Sequence, residues 1–193
     1  MNVKDVPDRL AEAVVADYER GVTSTIMKYP WQSETCIGGW HYLRFLYERP
    51  GEYGGYLPPR DVIHWLVDTV SKNGTFILNI PGRPDGTIDS KEMAVPDGIT
   101  SWMQINSEAI YETSPWKIYG EGPNMVKPGS FQGESIRKVT AKDIRSRATR
   151  RTPWFARSRL AGRRIPWLCR RSGLRRLRSP AKWPRTCLDR AKV

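Results

Sequence analysis

A helix, a glycine and an apolar strand follow one another between residues 59 and 80, and no other stretch restricts the fold as much. Thr75-Phe76-Ile77-Leu78-Asn79-Ile80 is a short apolar run, fenced by Lys72-Asn73-Gly74 and by Pro81-Gly82-Arg83-Pro84-Asp85-Gly86. Such a run, without alternation and between turn residues, predicts a strand buried on both faces. Upstream, Val62, Ile63, Leu66, Val67 and Val70 recur at helical spacing, with Asp61 and Asp68 on the opposite, polar side. Pro58 and Pro59 suit the start of that helix, Asp61 its positively polarised first turn, and Gly74 its stop. Helix, glycine, buried strand and Pro/Gly loop make half of a parallel α/β unit. In such folds the loops after the strands' C-terminal ends carry the chemistry, which points to Asn79 and the 81–88 loop.

Net charge separates this body from the rest of the chain. The overall +12 suggests a nucleic-acid or membrane-surface partner. Residues 1–145, however, hold 16 basic and 19 acidic residues, net −3, while residues 146–193 hold 16 basic and one acidic, net +15. The body is mildly acidic, and the basic excess lies wholly in the last 48 residues. No apolar run approaches the ~20 residues of a membrane span, and the N-terminus lacks the apolar core of a signal peptide. Cys36, Cys169 and Cys187 show neither metal-ligand spacing nor a disulfide framework.

Residues 1–30 show middling helix propensity to about Val15, then an irregular polar segment from Asp17, with no strand pair expected. Residues 29–56 read as a loop. Trp31, Trp40, Tyr42 and His41 among small residues suit a pocket wall that grips a sugar ring, although composition alone favours the simpler reading, in which Trp31 and Trp40 cap a core from a loop. Glu48 and Glu52 follow, two carboxylates of the kind that acid/base work on a glycosidic bond needs. Asp89-Ser90-Lys91-Glu92 resembles a capping box before a helix through Ile99, Trp102, Met103, Asn106 and Ile110, with Pro96 marking a break or the true start. Ser114 to Tyr119 reads as extended, and Gly120-Glu121-Gly122-Pro123 as a linker.

Taken together, five motifs resemble glycoside hydrolase family 29, the α-L-fucosidases, over Tyr29 to Ile144. They are Pro30-Trp31-Gln32-Ser33-Glu34-Thr35-Cys36-Ile37-Gly38-Gly39-Trp40-His41-Tyr42; the Val62–Gly74 helix; Phe76-Ile77-Leu78-Asn79-Ile80 with Asp85-Gly86-Thr87-Ile88; Asn106-Ser107-Glu108-Ala109-Ile110-Tyr111; and Pro115-Trp116-Lys117-Ile118-Tyr119-Gly120-Glu121-Gly122-Pro123. Gln32 stands where many members carry glutamate. The resemblance implies an α/β fold: the C-terminal part of a (β/α)8-like barrel over 1–120, then a linker towards a β-sandwich over 121–145. It implies a retaining mechanism with two carboxylates about 5–5.5 Å apart. Glu48 matches the acid/base position best, Glu52 is the alternative and Glu34 a third choice. Trp40 and His41 match pocket-wall positions, and Phe76 the aromatic that packs on the fucose methyl group. The family nucleophile, an aspartate in a Trp-Phe-Asp-like motif, has no counterpart here and is expected upstream of Met1. The implied partner is a fucosylated glycan, with no metal, organic cofactor or membrane, in a family often secreted or periplasmic.

The tail, 146–193, is Arg-rich and Pro-punctuated, without a sustained period of 2 or 3.6. It is read as out-of-frame or disordered sequence in place of a β-sandwich. The alternative function, a basic nucleic-acid-binding module, rests on this tail alone.

Overall fold

A computed structural model of the chain describes residues 2–4, 6–124, 126–149, 154–159 and 170–171. Its first sheet is parallel and four-stranded, in the order β1 (Asn2–Val3), β2 (Val15–Glu19), β3 (Trp31–Cys36) and β4 (Gly74–Asn79). The registers bring Asp17 opposite Gln32 and Gln32 opposite Thr75, then Glu19 opposite Glu34 and Glu34 opposite Ile77. Two expectations are corrected here. Residues 15–19 are a strand, and residues 31–36 belong to the sheet, so the loop begins only after Cys36. In Ala16-Asp17-Tyr18-Glu19, small and aromatic residues face the core while carboxylates face away, a period of two that marks a half-buried strand.

Between β3 and β4 the chain forms α1 (Arg44–Glu48), α2 (Pro50–Tyr53) and α3 (Pro59–Ser71). The last starts on Pro59 with Asp61 in its first turn, as expected. Its stop differs: Asn73 takes the left-handed conformation at φ 72°, and Gly74 already begins β4. Glycine is needed there for closeness instead, since a Cβ would meet the Trp31 ring at 2.6 Å and Thr69 Cγ2 at 2.7 Å. Trp31 and Trp65 are buried, and their indole N–H groups donate to the Lys72 carbonyl and to Ser33 Oγ, each at 2.9 Å. Buried indoles thus keep their polar ends satisfied within the core of Val22, Ile63, Val67, Val126, Ile136 and Val139.

After β4 comes α4 (Ser90–Asn106), opened by the expected capping box: Asp89 accepts from the Lys91 and Glu92 backbone N–H groups at 2.8 Å. Pro96 neither breaks nor starts this helix but lies inside it. The second sheet is antiparallel, in the order β5 (Thr113–Glu121), β6 (Ile144–Thr149), β7 (Trp154–Arg159) and β8 (Arg170–Arg171). Residues 114–119 are extended as expected, but the strand runs on through Gly120 and Glu121, where the sequence suggests a linker, and β6 crosses position 145, so the first residues of the basic tail are a strand. The expectations for 150–153, 160–169 and 172–193 lie outside the described residues.

This second sheet covers the side of α3 expected to face solvent. Asp61 and Asp68 are both buried; β5 and β6 pack on α3, and Arg145 of β6 reaches Asp68. Asp68 accepts from Lys72 Nζ at 2.7 Å and from Arg145 Nε at 2.7 Å, and all three side chains are buried. Lys72 Nζ also donates to the Thr23 carbonyl at 2.8 Å, and the Tyr119 ring lies 4.8 Å from Lys72 Nζ and 5.7 Å from the Arg145 guanidinium. Burial lowers the pKa of Lys72, and Asp68 opposes that shift.

The strand expected to be buried on both faces is covered on one only. Phe76 and Leu78 pack under α3 and α4, whereas Ile77 is 42% exposed. Among the described residues β4 is the edge of its sheet, and no element covers its other face.

Candidate active site

The loop from Ile37 to Pro58 is folded back over the C-terminal ends of β3 and β4. The Ile37 N–H donates to the Asn79 carbonyl at 3.2 Å, and the Leu57 N–H donates to the Ile37 carbonyl at 2.6 Å, closing the loop at its base. Asn79 Nδ2 donates to the Trp40 carbonyl at 3.0 Å. Arg83 Nε donates to the Tyr42 hydroxyl at 3.4 Å, with its guanidinium 5.5 Å from the Tyr47 ring. Lys91 Nζ lies 4.6 Å from the same ring and donates to the Tyr47 carbonyl. Tyr56 donates from its hydroxyl to Asp89 Oδ2 at 2.7 Å, and its pKa is raised by burial first and by that hydrogen bond second. Apart from the Leu57–Ile37 bond, these ties end at Asn79 and Arg83, within the region the sequence singles out, and at Asp89 and Lys91 just beyond it.

On this loop the candidate residues separate. Trp40 is 41% exposed and His41 is exposed, both just past the end of β3. Glu48 ends α1, exposed, and accepts from Arg44 Nε at 2.6 Å one turn away. Glu52 lies in α2, exposed, 3.2 Å from Arg49 Nη1. Phe76 does not join them. Its ring sits 6.1 Å from that of Trp65 on the helix side of β4, opposite the face that carries Thr75, Ile77 and Asn79. Trp31 belongs to the core, in line with the simpler reading of that tryptophan.

The face of the sheet away from the helices carries polar groups, of which Gln32 and Glu34 are already singled out in the sequence, whereas Asp17 and Glu19 are passed over there as their neighbours. Gln32 Nε2 donates to Asp17 Oδ1 at 3.2 Å within the buried part of the sheet. Glu19 and Glu34 stand side by side two register pairs further along, both bonded to Lys4, with Glu34 at 3.4 Å. The signal lies in the alternation Asp17-Tyr18-Glu19 and Gln32-Ser33-Glu34, which puts the polar residues of both strands on one face. Among the described residues no group of His, Cys, Asp and Glu could hold a metal ion, and no helix is long and apolar enough to cross a membrane. Burial pushes the Cys36 thiol up in pKa.

A family model described as Alpha-L-fucosidase matches residues 2–108. Human plasma alpha-L-fucosidase is 37% identical over 92 residues, covering 48% of this chain and 19% of its own. A solved alpha-L-fucosidase superposes with a TM-score of 0.55 at 24% identity, over 76% of this chain and 29% of that one. The Thermotoga maritima alpha-fucosidase solved in complex with fucose gives 0.51 at 23% identity, over 68% and 27%. The chain therefore spans about a fifth of the human relative and under a third of these solved structures.

Proposed function

Because the chain belongs to the alpha-L-fucosidase family, we propose that it carries the acid/base side of a site that hydrolyses terminal α-L-fucosyl bonds with retention of configuration. The four parallel strands are then part of a (β/α)8 barrel, and the antiparallel sheet is the start of a β-sandwich behind it. The observation that carries this reading is the loop from Ile37 to Pro58, tied by Asn79, Arg83 and Lys91 to the C-terminal end of β4. Barrel enzymes assemble their sites at that end of the strands.

In this reading Glu48 protonates the leaving oxygen and then takes a proton from the attacking water, with Glu52 as the alternative. Arg44 pairs with the Glu48 carboxylate one turn away, an exposed contact that a side-chain rotation releases. Trp40 and His41 form the rim that receives a fucosylated glycan. Phe76, matched by the resemblance to the aromatic on the fucose methyl group, packs against Trp65 on the helix side of β4. The nucleophilic aspartate comes from outside these 193 residues, since the chain has no Trp-Phe-Asp-like motif. No metal or organic cofactor takes part. The 193-residue chain by itself lacks half of the catalytic pair.

A chimera tests the assignment. Residues 2–108 of this chain replace the matching segment of human plasma alpha-L-fucosidase, and turnover is compared between natural fucosides and aryl fucosides with good leaving groups. Glu48→Ala is expected to slow the natural substrates far more, because only a poor leaving group needs the proton. If Glu52→Ala gives that pattern and Glu48→Ala does not, the roles are exchanged; if neither does, the reading fails.

A further inference from the structure

Two cations beside the candidate loop, Arg83 and Lys91, hold no carboxylate among the described residues. They flank the ring of Tyr47, with the Arg83 guanidinium at 5.5 Å and Lys91 Nζ at 4.6 Å. Their hydrogen bonds go to neutral groups, the Tyr42 hydroxyl for Arg83 and the Tyr47 carbonyl for Lys91. The carboxylates around them are engaged elsewhere. Asp85 accepts from the Thr87 N–H and hydroxyl, Asp89 caps α4 and accepts from Tyr56, and Glu92 completes the capping box. Glu48 pairs with Arg44, and Glu52 with Arg49. Lys91, moreover, stands in the first turn of α4, where the helix field disfavours a cation, so helix stability does not account for it. Arg83 is half-buried and Lys91 exposed, so both charges are open to a ligand.

We propose that Arg83 and Lys91 bind the anionic group of a sugar, a carboxylate or a sulfate, on the leaving-group side of the fucosyl bond. The side is set by the reading of Glu48 as the group that protonates the leaving oxygen, on which this inference rests. Tyr47 is its neighbour in α1, so the two cations border the space that the leaving sugar occupies. The planar guanidinium of Arg83 matches a carboxylate or sulfate with two parallel N–H donors, and Lys91 adds a second charge from another element. The Tyr42 and Tyr47 rings hold the Arg83 fork between them, at 5.9 and 5.5 Å, and so fix it in advance of binding. A neutral leaving sugar gains nothing from either cation, so the pair selects charged glycans.

The test uses the full 193-residue chain and sugars that carry no fucose, titrated by calorimetry. Sialyllactose supplies the carboxylate, sulfated lactose the sulfate, and lactose neither. The charged sugars are expected to bind about fivefold tighter than lactose, and high salt should erase the difference. Whichever of the two binds tighter identifies the anion. Arg83→Gln combined with Lys91→Gln should reduce both to the level of lactose, whereas Arg83→Lys should keep part of the preference. Tyr42→Phe removes the loop's hydrogen bond to Arg83 without touching a charge, so the preference should survive it. The basic residues of 146–193 are the competing anion binder and are unchanged in all these variants. Equal binding of charged and neutral sugars, a preference that survives the double variant, or one that Tyr42→Phe abolishes overturns the proposal. The readout is binding without turnover, so a failure here leaves the chimera's test of Glu48 standing, and a failure of the chimera leaves the binding result standing.

Discussion

Substituting Asp68 by asparagine removes one charge and almost no volume, yet it should be among the most damaging changes in the chain. Asp68 is fully buried and, among the described residues, is the one carboxylate bonded to both Lys72 Nζ and Arg145 Nε, each at 2.7 Å. Without it two buried cations face each other across Tyr119. Breaking a buried ion pair by removing one partner costs about 3–5 kcal/mol, and here one carboxylate serves two partners, so the upper part of that range applies. That is a large share of the ~5–15 kcal/mol that holds a domain folded. Arg145→Met is the contrasting change. It leaves the neutral Lys72–Asp68 pair intact and removes the buried Nη2 that has no hydrogen-bond partner, so it should cost only about 1–2 kcal/mol. The double variant should be more stable than Asp68→Asn alone, because it removes one of the two stranded cations. Urea unfolding at pH 7, followed by circular dichroism, gives all three values. The Asp68→Asn deficit should also narrow as pH rises, since Lys72 already has a lowered pKa and sheds its proton more readily in the folded chain. Equal costs for the two single variants, or an Asp68→Asn cost below about 1 kcal/mol, would refute the reasoning.

Three further outcomes are expected. Burial lowers the pKa of His64 to about 4 against the opposing pull of Asp61, so the unfolded chain takes up the proton first as pH falls. Stability should therefore drop by about 3 kcal/mol between pH 6.5 and 4 and then level off for this group, and His64→Gln should flatten that part of the profile. Gly74→Ala forces a Cβ against the Trp31 ring and should cost about 1–3 kcal/mol, whereas Gly51→Ala meets nothing within 4 Å and should be neutral or slightly stabilising in the same unfolding assay. Asp89→Ala loses the cap of α4 and the Tyr56 hydrogen bond together, so a thermal melt should show a loss of about 2 kcal/mol, larger than that of a simple cap.

Local chemistry is legible in the sequence where it acts within a few residues. The proline start of α3, the capping box at Asp89 and the extension over Ser114 to Tyr119 follow from neighbouring side chains, and the structure has them all. Burial set by distant elements is not legible in the same way. Asp61 and Asp68 look like a polar outer side, yet both are buried, and nothing local reveals that Arg145 of β6 reaches Asp68. The apolar run at 75–80 looks doubly buried because its composition suits a closed sheet, while in this chain one face stays open at Ile77. The strand at 15–19 escapes notice because five residues of mixed polarity give a weak period-two signal, readable only beside its partner at 31–36. The loop at 37–57 stands out by its aromatics, but Phe76 separates from it because alternate residues of a strand face opposite sides.

The central claim is that this chain bears the acid/base carboxylate of a fucosidase and not its nucleophile. Release of the aryl group from an aryl α-L-fucoside by the purified 193-residue chain tests it most directly. The expected result is no turnover above the uncatalysed rate, because the covalent route is missing altogether, and turnover by the chimera that restores it. Steady turnover by the unaltered chain would contradict the claim.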